Sequence, residues 1–310
     1  MPKALQPLLF LALPAIAWGG MFHVAQRVLP QVDAFWLSLL RIAPTALLMI
    51  AFLAWREPLV TPSAPPEANS PKLGWKIAIS GLLGFGVFNF ALYSGISLTT
   101  PEHGAIIMAM TPLLGAALAW LSNGRPPPRL TLICIAIALV GAIMVVTGHA
   151  ASNSAAPQAL LGDALALLGA LAWAFYLRSS GWFPCWSSLR FSAFSTAVGT
   201  LWIVLGLLAF SLMGWTQPPH WQVLPALASE LIYMTFLGTL ASLLLWNRGI
   251  ALIGPVNGAL FMNLVPVSAF VIGIALGHRP SLMELAGAML VLSALLTNNL
   301  LLRRPLPASA

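Results

Sequence analysis

The chain alternates between long apolar stretches and short polar connections. Ten stretches have about the length that a helix needs to cross a bilayer core, roughly 20 residues. Their bounds are 5–28, 34–54, 74–98, 101–121, 130–148, 159–179, 188–213, 224–250, 255–277 and 281–302. We number them segments 1 to 10. The pattern predicts an all-α polytopic membrane protein with ten transmembrane helices.

The second half of the sequence repeats part of the first. Residues 81–126 align with 235–280 at a constant shift of 154 residues, and 12 of the 46 positions are identical. The identical pairs include Gly84 with Gly238, Gly95 with Gly249, Pro101 with Pro255, Gly104 with Gly258, Met108 with Met262, and Pro112 with Pro266. The ten predicted spans divide into five per half. Because five is an odd number, the second half enters the membrane in the opposite orientation to the first.

This repeat divides the chain into two halves. We expect a first five-helix repeat at 1–148, a linker loop of small and polar residues at 149–158, and a second five-helix repeat at 159–310. Two inverted halves of this kind are typical of secondary transporters, because they can exchange conformations to give inward-open and outward-open states. A duplicated structural bundle that transports nothing is the alternative.

Composition agrees with a membrane environment. Hydrophobic residues make up 59% of the chain and charged residues only 7%, whereas a soluble domain carries roughly a quarter charged residues. The net charge of +7 comes from scattered side chains and forms no basic patch. The lipid bilayer is therefore the expected partner, and nucleic acid is not.

The basic residues instead indicate orientation. With the N-terminus in the cytoplasm, two basic residues fall at the outer side, Arg27 and Arg279. Eleven fall at the inner side: Lys3, Arg56, Lys72, Lys76, Arg125, Arg129, Arg178, Arg190, Arg248, Arg303 and Arg304. Since Lys and Arg near span ends resist translocation, this bias predicts that both termini are cytoplasmic.

Several function classes lack their motifs. The sequence has no GxxxxGK[ST] phosphate loop, no HExxH and no GxSxG. Its five histidines and two cysteines form no metal-ligand spacing. We therefore expect no enzyme activity, no cofactor and no metal.

A family resemblance rests on Trp18 and Gly19 in segment 1, Arg41 in segment 2, and the Gly95-to-Pro112 series with its echo in the second half. Together these features resemble the drug/metabolite transporter (DMT) superfamily, in particular its EamA-type members, and are most similar to the YddG-type amino-acid exporters. The resemblance implies a bacterial inner-membrane carrier with a central cavity. The second half departs from a symmetric pattern because it has no counterpart of Arg41.

The resulting hypothesis is a secondary transporter that exports amino acids or related small metabolites by alternating access, as a monomer or weak dimer. A drug carrier or other metabolite carrier of the same fold is one alternative. A passive channel and a membrane-embedded enzyme are two others.

Two prolines predict breaks in the membrane. Pro112 and Pro266 lie inside segments 4 and 9, and a proline has no N–H for the carbonyl four residues earlier. The carbonyls of Met108 and Met262 are then free to bind a substrate in a wet cavity. The alternative is a kink in which a neighbouring Ser or Thr satisfies each carbonyl.

Other candidate contacts for the substrate are polar or aromatic residues inside the segments. They are Trp18, Phe22, His23, Arg41, Asn89, Tyr93, Trp173 and Asn263. A buried Arg41 could bind a substrate carboxylate, or could instead be a structural residue that reaches helix-end carbonyls or Asp33, Glu102 or Asp163. The indoles could line a pocket, and the amides could equally hold helices together. His23 and His103 could titrate along a pathway or be plain hydrogen-bonded histidines.

Overall fold

A computed structural model describes residues 6–57, 72–124, 126–150, 156–253 and 258–301. All regular structure in these ranges is helical, so the all-α prediction is confirmed for them. Some predicted features lie outside the described residues: positions 151–155 of the linker, Lys3, Arg125, Pro255, Arg303 and Arg304.

Eleven α-helices account for most of the described chain. They are α1 (Gln6–Val28), α2 (Ala34–Arg56), α3 (Leu73–Leu98), α4 (Pro101–Ala109), α5 (Thr111–Asn123), α6 (Arg129–Ala150), α7 (Ala156–Ser179), α8 (Ser188–Leu212), α9 (Ala228–Ile253), α10 (Leu264–Ala275) and α11 (Leu282–Leu301). Short 3-10 turns lie at Ser180–Trp182, Trp221–Val223 and Ala259–Asn263.

Length and composition make six of these helices candidate membrane spans: α1, α2, α3, α7, α8 and α9. Helices α4 and α5 meet at a bend of 42° and together form a seventh candidate. Three shorter apolar stretches lie in α6, α10 and α11. The described chain therefore has six or seven candidate spans by this measure.

Helical irregularities recur at corresponding places in the two halves. Turns of π-helix occupy Leu82–Val87 inside α3 and Tyr233–Ala241 inside α9. The shift of 154 residues that aligns the sequence places the first of these turns within the second. The same shift takes Met110, where α4 and α5 meet, to Leu264, where the 3-10 turn before α10 ends.

Helices α3 and α7 touch through glycine. A Cβ on Gly95 would lie 2.6 Å from the carbonyl oxygen of Gly162, and one on Gly162 would lie 2.8 Å from the oxygen of Gly95. Within the π segment of α3, Gly84 also faces α7, and a Cβ there would collide with the ring of Tyr176. Small residues here let the two backbones approach closely.

Helices α9 and α1 form the repeat-related counterpart of the interface between α3 and α7. Gly249, the repeat partner of Gly95, faces Leu11, whose Cγ would lie 2.5 Å from an added Cβ. Gly238, the repeat partner of Gly84, faces Met21. The glycines that carry the sequence repeat thus make equivalent helix contacts.

Helices α6 and α11 also pack through glycine. A Cβ on Gly141 would lie 2.6 Å from the carbonyl oxygen of Gly287, and one on Gly287 would lie 2.5 Å from that of Gly141. This close crossing stands beside a separate apolar cluster that includes Ile106, Leu113 and Val291.

Helices α2 and α8 are connected at both ends. At the start of α2, Asp33 caps the helix and accepts a hydrogen bond of 2.5 Å from the hydroxyl of Thr216, which follows α8. At the other end, Glu57 accepts a hydrogen bond of 2.7 Å from Ser187, and its Oε2 lies 3.6 Å from Nε of Arg190. We call these contacts the two end clasps of α2 and α8.

Candidate functional site

A buried arginine joins three helices. Arg41 of α2 is only 3% exposed. Its Nη1 donates a hydrogen bond of 3.0 Å to the hydroxyl of Thr239 on α9, and its Nη2 donates to Oδ1 of Asn89 on α3. The guanidinium carbon lies 5.0 Å from the ring centre of Tyr93, also on α3. We call these four residues the Arg41 cluster.

The charge of Arg41 has no counter-ion in the described part of the chain. No carboxylate there lies within 4.0 Å of the guanidinium. The alternative in which Arg41 pairs with Asp33, Glu102 or Asp163 is not found, since each of these carboxylates has other neighbours. An intramembrane Arg costs about 3 kcal/mol on insertion scales, so the cluster is short of a negative charge.

The cluster is also short of hydrogen-bond acceptors. Arg41 Nε and the hydroxyl of Tyr93 are both buried, and neither has a hydrogen-bond partner among the described residues. A guanidinium cannot accept a hydrogen bond, whereas a carboxylate accepts several. A carboxylate ligand would therefore satisfy both the charge and the free donors.

Local structure fixes the other members of the cluster. The amide of Asn89 donates to the carbonyl of Phe85, 2.6 Å away, at the edge of the π turn of α3. The hydroxyl of Thr239 donates to the carbonyl of Met234 at 2.8 Å, a five-residue spacing made by the π turn of α9. Single π turns often occur at functional sites; here Thr239 lies inside the π turn of α9, and Asn89 lies two residues after the π turn of α3 and bonds back into it.

Trp18 adjoins the cluster from α1. Its indole N–H donates a hydrogen bond of 2.9 Å to the carbonyl of Gly238, the residue before Thr239. One turn along the helix, Sδ of Met21 lies 3.9 Å from Nη1 of Arg41. Phe22 points elsewhere, against Gly104 of α4.

Trp173 belongs to a second aromatic group. Its ring centre lies 4.8 Å from Phe88, 4.9 Å from Tyr176 and 6.4 Å from Phe85. The structure therefore brings Trp18 to the Arg41 cluster and places Trp173 in a packed core between α3 and α7.

The prediction of two free carbonyls at the helix breaks is wrong. The hydroxyl of Thr111 donates to the carbonyl of Met108 at 2.6 Å, as in the alternative of a healed kink. The carbonyl of Met262 accepts from the N–H of Leu264 in the 3-10 turn. Met262 is half-buried and Asn263 is buried beside it.

His23 lies on another face of α1. Its Nε2 is 2.7 Å from the carbonyl oxygen of Ala269 on α10 and 3.8 Å from Oε1 of Glu102 on α4. His23 is therefore held by a backbone carbonyl and faces a carboxylate. It is not part of the Arg41 cluster.

His103 forms a separate buried polar group. Its Nδ1 is 3.1 Å from Oδ1 of Asp163 on α7, and its Nε2 is 3.7 Å from Oε1 of Glu284 on α11. Thr99 donates to the same oxygen of Asp163 at 2.9 Å. The described His, Cys, Asp and Glu residues form no group of three that could hold a metal ion.

Comparison with known proteins decides the family. The model of the EamA-like transporter family matches residues 5–147 and again residues 160–300. The chain belongs to the EamA-like transporter family. It is thus a multi-pass membrane transporter, and the EamA resemblance predicted from the sequence is confirmed.

Relatives of this EamA-family transporter align with it along almost its whole length. The uncharacterized transporter YrdR of Bacillus subtilis is 27% identical, over an alignment that covers 94% of this chain and 90% of YrdR. YyaM of the same organism is 25% identical, with 94% and 92% covered. A crystal structure at 21% identity superposes with a TM-score of 0.61 over 96% of this chain and 99% of the other, which shows the fold.

Sequence reasoning missed Thr239 and Glu102 as site residues. Thr239 is one hydroxyl in an apolar helix, and its repeat partner is Phe85, so the alignment gave no signal for it. Glu102 carried a detectable signal, because it is an acidic residue at the start of a membrane segment, directly after Pro101.

We expect Trp18→Phe to lower transport severalfold without loss of folded protein. The ring is kept, but the carbonyl of Gly238 loses a hydrogen bond, which is worth about 1 kcal/mol. Initial rates of uptake into proteoliposomes would measure the effect. Trp75→Phe, at a side chain that is 53% exposed, is the control and should leave the rate unchanged. Equal rates for both variants would contradict a role of the indole N–H.

Proposed function

We propose that this EamA-family transporter is a secondary carrier that exports amino acids or related small metabolites by alternating access, and that the Arg41 cluster binds the substrate carboxylate. The observation that carries the proposal is a buried guanidinium without a carboxylate partner among the described residues. A substrate carboxylate that arrives during transport would supply the missing charge.

The chemistry of the cluster favours anionic groups over cationic drugs. Among the described residues, Arg41 Nε and the Tyr93 hydroxyl are hydrogen-bond donors without acceptors, and a drug cation would face a positive charge that no described carboxylate compensates. Trp18 and Met21 line the same region with an apolar surface, which suits an aliphatic or aromatic side chain. The resemblance to YddG-type amino-acid exporters is consistent with this reading.

The proposed architecture is ten spans in two inverted five-helix halves. The family model matches the chain twice, once in each half. Equivalent glycines hold α3 against α7 and α9 against α1, and π turns and helix breaks recur at the repeat spacing. The three shorter apolar helices, together with the seven longer candidates, give the ten spans of the proposal.

Cysteine labelling tests the inversion and the membrane orientation in one experiment. Ser63 and Gln217 are separated by the repeat shift of 154 residues and follow α2 and α8. In a Cys185→Ser background, which removes an exposed native thiol, we expect Ser63→Cys to react only from the cytoplasm and Gln217→Cys only from outside. Reaction of both from one side would contradict inverted halves.

A substrate screen tests the function itself. Purified protein is reconstituted into vesicles loaded with labelled amino acids, carboxylic acids, sugars and cationic drugs. We expect saturable efflux and counterflow of carboxylate-bearing compounds. Exclusive efflux of cationic drugs or sugars would overturn the substrate assignment. Non-saturable flux without counterflow would indicate a channel.

A further inference from the structure

A polar cavity lies apart from the Arg41 cluster. It encloses about 320 Å³ at the end of the bundle where α1 finishes, and its walls come from α1, α4 and α10. Its lining includes His23, Arg27, Glu102, Gly273 and His278 and no member of the Arg41 cluster. We call it the Glu102 cavity.

Glu102 is the unusual group in this cavity. It is only 3% exposed, and its carboxylate accepts no hydrogen bond from the described residues. Nε2 of His23 lies 3.8 Å from Oε1 of Glu102 and is within hydrogen-bond distance, 2.7 Å, of the carbonyl oxygen of Ala269. Burial of a carboxylate without hydrogen bonds is costly, so this position favours the arrival of a donor.

The surrounding residues are arranged to keep that carboxylate in place. A Cβ on Gly273 would collide with Oε1 of Glu102, so only glycine leaves room for it there. Glu102 also lies in the first turn of α4, where the helix dipole favours a negative charge. The carboxylate is thus held at the cavity wall in a form suited to bind a cation.

Two other lining residues, Arg27 and His278, carry the opposite preference. Nε2 of His278 is buried without a hydrogen-bond partner among the described residues, and Arg27 lines the cavity with an exposed side chain. A small zwitterion matches this pattern of one acceptor and several donors. The volume is much larger than a single metal ion needs, and no metal-binding group of three is present in the described chain.

We propose that the Glu102 cavity is a second substrate site that binds the ammonium group of a zwitterionic substrate, with Glu102 as the acceptor. An ammonium group has three N–H donors, and its charge compensates that of the carboxylate. Arg27 and His278 then face the substrate carboxylate. The proposal rests on the proposed function, because it assumes that the transported compound carries both groups.

Binding to the purified full chain in detergent tests the proposal. The probes are leucine, isoamylamine, which lacks the carboxylate, and isocaproate, which lacks the ammonium group; tryptophan fluorescence reports binding. We expect Glu102→Gln to weaken the binding of leucine and isoamylamine about tenfold or more, as for the loss of a charged hydrogen bond. The affinity for isocaproate should change by less than about twofold. Gly273→Ala, which keeps the carboxylate but displaces it, should give the same pattern.

Glu57→Gln is the matched control, since that carboxylate lies outside the cavity lining and accepts a hydrogen bond of 2.7 Å from Ser187. It should change none of the three affinities. The proposal is overturned if wild-type protein does not bind isoamylamine, if Glu102→Gln leaves isoamylamine binding unchanged, or if it weakens all three probes equally.

The same variants separate this proposal from the proposed function. Glu102-dependent binding of leucine and isoamylamine without efflux from vesicles would support the cavity and contradict the carrier. Normal efflux together with unchanged binding in Glu102→Gln would support the carrier and contradict the cavity.

Discussion

Arg41→Gln is expected to abolish the transport of carboxylate-bearing substrates while the protein remains folded. Glutamine keeps a donor for Asn89 or Thr239 but removes the positive charge that the substrate carboxylate would meet. Since a hydrogen bond to a charged group is worth about 1.5–3 kcal/mol, we expect a loss of at least about tenfold in the transport rate. Removal of an unpaired buried charge should not lower the melting temperature.

Uptake and counterflow in proteoliposomes measure this effect, and thermal unfolding of the same preparation reports on folding. Arg41→Lys should retain part of the activity, because lysine keeps the positive charge but cannot form the bidentate hydrogen bonds of a guanidinium. The control is Arg178→Gln, at an exposed residue that binds Ser122 and Asn123. If Arg41→Gln transports normally, or if it fails to fold, Arg41 is a structural residue.

Gly95→Ala is expected to destabilise the protein more than the same change at its repeat partner, Gly249. The added Cβ would meet backbone atoms of α7, 2.6 Å from the oxygen of Gly162 and 2.9 Å from the nitrogen of Ala166. Backbone atoms cannot rotate away, so the helices must separate. Overpacking of this kind costs about 1–3 kcal/mol or more.

Two further variants make the comparison specific. Gly249 is the repeat partner of Gly95, but a Cβ added there would meet the side chain of Leu11, which can move. We therefore expect a smaller loss of stability for Gly249→Ala. A Cβ added at Gly115 would meet no atom within 4 Å. Gly115→Ala should therefore be neutral or slightly stabilising, because alanine favours the helical conformation. Thermal unfolding of the three purified variants ranks them. Equal melting temperatures would contradict the close backbone contact.

The sequence was informative where a physical requirement leaves a local pattern. Apolar stretches of about 20 residues predicted helices because a bilayer core demands them, and helices fill the described chain. Gly95 and Gly249 stood out as a matched pair, and both lie where helices touch. The buried position of Arg41 followed from its depth within segment 2.

The details of the site depend on tertiary contacts and were less accessible. Pro112 indicated a carbonyl without its usual partner, but the hydroxyl of Thr111 reaches back to Met108 and satisfies it. Nothing local distinguishes Thr239 from other hydroxyls, because its role depends on a π turn and on a helix from the other half. Trp18 and Trp173 lie 155 residues apart, close to the repeat spacing, yet Trp18 reaches the Arg41 cluster whereas Trp173 packs against Phe88 and Tyr176.

The end clasps of α2 and α8 restrict which parts of the transporter can move. Because α2 and α8 are joined at both ends, by Asp33 with Thr216 and by Glu57 with Ser187, we expect them to move as one body. Helix α2 lies in the first segment matched by the family model and α8 in the second, so a simple rocking of one matched segment against the other would have to break both clasps. In a conformational cycle that keeps both clasps intact, the moving parts would not coincide with the two halves of the chain. Helices α2 and α8 would form a fixed frame, and the π-containing helices α3 and α9 would move relative to it.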